Sequence, residues 1–242
     1  KILDKLENIT NHGRALIDPA IPPKPLIGIV GEIFLRMHAH SNQNLIRMIE
    51  NQGAEVVNSS LAEWVNYITY GELRENKTNF RLNLQQLKLA DLRNNIRKIV
   101  GFGGDLFYQE MKQKQFYNRI SRLIDFESDH KIGHLEKLLK KEDIFTFDVT
   151  TETCLSVAAI LQFATEGCNG VINVYPFTCM PAMTTSAIVK PIMNQRRTPY
   201  IDTPYDGSYQ AGRDTAIRTF MHQATQHFKR HGRKSSIHKR AA

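Results

Sequence analysis

Val171-Ile-Asn-Val-Tyr-Pro-Phe-Thr-Cys-Met-Pro181 is the stretch on which the reading of the fold turns. Its first part, Val171 to Tyr175, is β-branched and apolar and reads as a short buried strand. Pro176 stops it, because proline has no N–H to give to a sheet ladder. Cys179 then falls between Pro176 and Pro181, on a stiff loop just past the strand end. A sulfur held that way is aimed in advance, which suits a metal ligand. The same residue also reads as a buried cysteine acting as a small hydrophobe, since free thiols are inert unless their surroundings activate them.

Working outward, Ile144 to Val149 has strand character, and Thr150 or Thr151 can cap a helix from about Glu152 to Thr165, ended by Gly167. Further upstream, Leu26 to Val30 is a second apolar strand followed by Gly31-Glu32. Ser41 can cap a helix to about Gln52, with Gly53 as its stop and Ala54 to Val57 as the next strand. Strand, helix, strand in that order implies parallel pairing. Downstream, Thr184 to about Gln195 reads as a helix that Pro191 kinks or ends early. Tyr200-Ile-Asp202 reads as a last short strand, and Asp214 as the cap of a final helix to about Phe228.

Leu61 to Tyr70 reads as helix, and from Glu72 to Lys141 apolar residues recur every three or four positions among Lys, Arg, Gln and Glu. That predicts two or three helices, interrupted near Gly101-Phe-Gly-Gly-Asp105. No lysine-serine signature follows those glycines, so they read as a helix connection and not as a phosphate loop. The expected fold is therefore α/β, a doubly wound parallel sheet of Rossmann or flavodoxin type, with a helical insertion at about 61–141. Residues 1–24 read as an amphipathic helix and a Pro-rich linker, 25–228 as the α/β domain, and 229–242 as a basic disordered tail.

Composition narrows the class. No apolar run approaches the ~20 residues of a membrane helix, and the charged, amphipathic first residues do not read as a signal peptide. Three cysteines at irregular spacing do not make a secreted disulfide framework, so a reducing cytoplasm is expected. The net charge is +8, but Lys229, Arg230, Arg233, Lys234, Lys239 and Arg240 supply six of those charges and leave about +2 for the body. A nucleic-acid reading would rest on that tail alone, which lacks interleaved aromatics for base stacking.

In a parallel α/β sheet, ligands collect beyond the carboxyl ends of the strands. By the expected topology Cys179 and Cys154 both lie at that edge, Cys154 in the first turn of a helix, where a thiolate is favoured, which makes it the candidate second metal ligand beside Cys179. Cys168 precedes its strand and belongs to the opposite edge. Glu32, Asp202 and Asp206 follow strand ends on the ligand-binding side. Glu32 can serve as a general acid/base or can cap the chain locally. Iron–sulfur clusters usually take four thiolates, and 154, 168 and 179 match no ferredoxin or zinc-knuckle spacing. A cluster here would have to share its ligands with cysteines elsewhere.

Gly170-Val-Ile-Asn-Val with Phe177-Thr-Cys-Met-Pro181 resembles the PFxCMPG segment of the 2-hydroxyacyl-CoA dehydratase and benzoyl-CoA reductase superfamily. The likeness is nearest to the C-terminal region of the activase-related proteins of that group. Ile27-Gly-Ile-Val-Gly-Glu-Ile33 with Ser41-Asn-Gln-Asn-Leu-Ile-Arg47 resembles the family's opening motif. Tyr205-Asp-Gly207 with Arg218-Thr-Phe-Met-His-Gln-Ala224 resembles its closing one, so the likeness covers about residues 25 to 225 in the family's order.

The resemblance implies the C-terminal part of a longer iron–sulfur protein that supports ATP-driven electron transfer to a CoA thioester. It implies Cys179 as a cluster ligand, places Glu32 in the site, and supplies no cysteine at position 154. The implied partners are an upstream region of the same polypeptide or an ATP-dependent activase, with an acyl-CoA as substrate. A scaffold or docking domain without a cluster is the alternative, and a homodimer formed through the final helix fits either reading. Ala182 departs from the family, which has glycine after the CMP triplet.

Overall fold

A computed structural model describes residues 1–124, 128–149 and 151–233. The chain divides into two compact units, one formed by Lys1–Ala20 with Ser60–His134, the other by Ile21–Ser59 with Leu135–Ala242.

The second unit carries a four-stranded sheet built from β1 (Leu26–Gly31), β2 (Glu55–Asn58), β3 (Gly170–Pro176) and β4 (Tyr200–Tyr205). Its order is β2-β1-β3-β4 and every pair is parallel. The two central strands are apolar but for Asn173 of β3 and are buried on both faces, as parallel sheets require. The edge strands are more exposed, and Pro204 is tolerated in β4 because an outer edge needs no N–H there.

Helices α2 (Ile33–Met37) and α3 (Leu45–Glu50) connect β1 to β2. Helix α7 (Glu152–Glu166) leads into β3, α8 (Met180–Gln195) joins β3 to β4, and α9 (Ala211–His231) follows β4. Alternation along the strands divides the layers. Ile27, Ile29, Ile172 and Val174 form one core with Leu45 and Ile49 of α3 and Ile217, Phe220 and Met221 of α9. The other face lies against α7 and α8. Gly28 there lets Phe163 approach so closely that a Cβ would sit 2.5 Å from its ring. The sheet is thus covered on both faces, the doubly wound arrangement that the sequence predicts.

The first unit is helical: α1 (Ile2–Ala15), α4 (Leu61–Gln85) and α5 (Leu89–Ile120), with the start of α6 (Ile132–Glu142). Arg119 of α5 pairs with Glu7 of α1 at 2.7 Å. Helix α5 runs without a break through Gly101, Gly103 and Gly104, where the sequence predicts an interruption. The cost of a helical glycine, ~1 kcal/mol against alanine, is met by pairing along the whole of α4.

Three local expectations change. Residues 144–149 form no strand: Thr146 Oγ1 donates to Asp148 Oδ2 (2.7 Å) and accepts from the Asp148 N–H (3.1 Å), so the segment closes on itself. Thr151 caps α7, while Thr150 lies outside the described residues. Helix α3 starts later than Ser41, because Asn42 Oδ1 takes the Leu45 N–H and Ser41 turns to His38 Nδ1. Helix α9 continues through Lys229, Arg230 and His231, so the basic segment begins helical; its residues 234–242 lie outside the described residues.

Candidate functional site

The strand order reverses between β1 and β3, since α2 and α3 carry the chain to one side and α8 carries it to the other. That reversal opens a crevice beyond the carboxyl ends of the two strands. Glu32 follows β1 and Cys179 follows β3, so the topology brings both to this edge.

The β1 exit is built around Gly31. Its φ is +110°, and a Cβ there would lie 2.0 Å from the Val174 carbonyl oxygen. That closeness lets the Glu32 N–H donate to the same carbonyl at 2.8 Å. The Glu32 carboxylate then caps α2, accepting from the Phe34 N–H at 3.0 Å and the Leu35 N–H at 2.8 Å. Both of its oxygens are held at the rim of a cleft of about 340 Å³, lined also by Phe34, Leu35, His40, Pro176 and Tyr205.

The β3 exit is a tight turn. The Cys179 N–H donates to the Pro176 carbonyl at 2.9 Å, and the Phe177 N–H donates to Tyr205 at 2.8 Å. Thr178, third in the turn, has φ +67°. A left-handed β-branched residue is a true outlier, and such strain concentrates at functional sites. Cys179 is the N-cap residue of α8, with a free thiol that makes no cap hydrogen bond. It is half-buried and stands beside the cleft without lining it. Helix α8 starts at Met180, earlier than the sequence suggests, and Pro181 fits its first turn where no N–H is needed. Ala182 therefore lies in the helix, where alanine is unstrained. Pro191 lies inside the helix and does not end it.

Cys154 lies in the first turn of α7, at the same edge, although the strand expected ahead of it does not form; the edge is set by α7 leading into the parallel strand β3. Its sulfur is fully buried and donates to the Thr151 carbonyl at 3.0 Å. The starts of α7 and α8 are tied together by Thr153 Oγ1, which donates to the Pro181 carbonyl at 3.0 Å. Among the described residues, no group of three or more His, Cys, Asp or Glu could hold a metal ion. Cys168 is buried ahead of β3, at the opposite edge.

Sequence reasoning misses the polar network behind the turn. Asp202 lies inside β4 and not after its end. It accepts from Tyr200 Oη (2.6 Å), Ser186 Oγ (2.5 Å) and Asn173 Nδ2 (3.1 Å), and Lys190 Nζ is 2.8 Å away. Burial, reinforced by the Asp202 charge, pushes the Tyr200 phenol far up. Burial also raises Tyr175, with further contributions from Asp202 and Cys179. Asn173 is fully buried, and its Oδ1 has no partner among the described residues. An asparagine inside the Val171–Tyr175 run was the available signal, because buried strand positions are rarely polar.

Arg213 is a second omission. It is buried at the start of α9, stacks on Tyr205 at 4.1 Å, and donates to Gln43 Oε1 and the Pro204 carbonyl. Asp206, just past β4, is held below the usual carboxylate range by the Ser208 hydroxyl and N–H and by Gln210.

A concavity of about 890 Å³ lies at the other edge, lined by Arg196, Arg197, His222, His227, Arg230 and His231 among others. Helices α7, α8 and α9 all end there, so these side chains face the negative ends of three helices. Burial lowers His227, with His231 and Arg230 adding to the effect. No helix of the described residues is long and apolar enough to cross a membrane. Comparison with family models, with curated proteins and with solved structures finds no match to this chain.

Proposed function

We propose that this chain is the thiolate-bearing α/β part of an iron–sulfur protein similar to the 2-hydroxyacyl-CoA dehydratases and their activases, supporting ATP-driven electron transfer to a CoA thioester. The observation that carries the reading is the setting of Cys179: a free, half-buried sulfur behind a strained Thr178, at the start of a helix and at the strand reversal of the sheet.

Cys179 fits one ligand of a cluster. Cys154 fits less well, because its sulfur is enclosed and already bonded to Thr151. The remaining thiolates then come from outside this chain. When bound, such a cluster would supply single electrons at low potential. The chain's own part is to fix the sulfur and to hold the Glu32 carboxylate at the cleft rim.

A second reading is a docking domain of the same fold without a cluster, and the enclosed Cys154 favours it. Iron and acid-labile sulfide, measured after anaerobic purification with the cognate partner region, separate the two. Cys179→Ser should lose most of both while its circular dichroism stays unchanged. Equal iron and sulfide in the variant would remove Cys179 from the site, and none in either protein after reconstitution would leave the docking domain.

A further inference from the structure

Helices α4 and α5 form a hairpin with polar side chains in its seam. Asn66, Thr69, Asn76 and Asn95 are buried in it. Asn66 Nδ2 donates to Gln113 Oε1 at 2.7 Å, and Gln109 Nε2 donates to Thr69 Oγ1 at 3.1 Å. Leu92, Ile99, Phe102, Leu106 and Phe116 of α5 are half-buried, while four further large apolar side chains face outward: Leu89, Ile96, Val100 and Phe107 are 71%, 50%, 69% and 71% exposed. Their spacings are 7, 4 and 7 residues, which at ~100° per residue puts all four within about 20° of one line.

That spacing reads the same from either end, with Lys98 at its midpoint and half a turn away from the stripe. An antiparallel copy of α5 centred on residue 98 would set Leu89 against Phe107 and Ile96 against Val100. The glycines fit the same arrangement. A Cβ at Gly101 or Gly104 would meet nothing within 4 Å, and one at Gly103 would meet Leu73 only at 3.9 Å. Nothing inside the described fold calls for glycine at these positions, yet each weakens an exposed helix by ~1 kcal/mol against alanine. Gly104 flanks the stripe between Val100 and Phe107, where a missing side chain lets a second backbone come close.

We propose that this stripe is a two-fold interface with a second copy of the chain, α5 packed antiparallel on α5. A self-complementary patch closes on itself and stops at a dimer. At these exposures the four side chains offer on the order of 450 Å² per copy, or roughly 900 Å² together, below the ~1,200–2,000 Å² of a stable specific interface. The dimer is accordingly weak and reversible. Helix α5 carries Arg93, Arg97, Lys98, Lys112, Lys114 and Arg119 against Asp91, Asp105 and Glu110, so like charges oppose pairing and added salt should tighten it.

Sedimentation velocity on the whole chain tests this. The wild type should shift from monomer to dimer with a midpoint on the order of 10 μM, lower at 0.5 M than at 0.05 M salt. Val100→Lys should abolish the shift, while Val65→Lys, at an exposed position of α4, should leave it unchanged. A wild type that stays monomeric to several hundred μM, or Val65→Lys acting as strongly as Val100→Lys, would overturn the proposal. Register is tested by mixing Leu89→Cys and Phe107→Cys chains under oxidation. The mixed disulfide should exceed either self-pair, whereas a dominant Leu89→Cys self-pair would mean parallel helices and would overturn it equally.

Discussion

At the scale of single residues, two backbone conformations shape the candidate site. Gly31 must be glycine, because a Cβ would collide with the Val174 carbonyl that receives the Glu32 N–H. Gly31→Ala is expected to cost about 3 kcal/mol or more in urea denaturation, the size typical of forced strain at a special φ. Thr178 is the converse case, since it occupies a left-handed position that glycine would fill more easily. That conformation costs an ordinary residue about 1–2 kcal/mol, and part of the gain on substitution is lost to unfolded-state entropy. Thr178→Gly should therefore stabilise by about 0.5–1 kcal/mol while loosening the approach to Cys179. A loss of stability would mean that the Thr178 Oγ1 bond to the Phe177 carbonyl outweighs the strain. Cys179 was legible in the sequence because prolines bracket it. Thr178 was not, because φ is set by the hydrogen bonds of a turn whose partners, Pro176 and Tyr205, sit on two strands.

At the scale of elements, the strand β4 and the helix α8 share the Asp202 network. Removing the carboxylate leaves the buried Tyr200 hydroxyl and the Asn173 amide without their acceptor, so Asp202→Ala should cost about 3 kcal/mol. Lys190 contacts the same carboxylate from an exposed position, and Lys190→Ala should cost less than about 1 kcal/mol. Equal losses, read from paired urea curves, would mean that the ion pair and not the buried hydrogen bonds holds the network. The helices and central strands were legible as elements because caps, stops and periodicity are local: Thr151 and Gly167 bound α7 as read. The segment 144–149 was misjudged for a related reason. Its β-branched composition fits a strand, but Thr146 and Asp148 satisfy each other and leave no ladder to join.

At the scale of the whole molecule, the α/β unit has two chemically distinct edges: the strand reversal with Cys179 and Glu32, and the basic edge where three helices end. The basic edge has a signature in pH. His227 is depressed below its ordinary value of 6.5, first by burial and then by its cationic neighbours. The unfolded chain therefore binds this proton more readily than the folded one. Stability from this site is complete above pH 6.5 and is lost as the pH falls through 6.5 toward the depressed folded value. Urea midpoints measured from pH 7.5 down to 5 should fall more steeply for the wild type than for His227→Gln, and an imidazole that titrates at or above 6.5 by NMR would contradict the assignment.

By itself the sequence determined the class of the fold, the parallel sense of its strands and the edge at which Cys179 and Glu32 lie. These follow from order and periodicity along the chain, which persist whatever the distant residues do. The tertiary structure decided the rest. It set the strand order and hence the reversal, enclosed Cys154 while leaving Cys179 accessible, and turned Asp202 inward to a network with Asn173. It also carried α5 unbroken through three glycines. Each of these depends on which residues far apart in sequence become neighbours, and burial and hydrogen bonding are fixed only when those neighbours are in place.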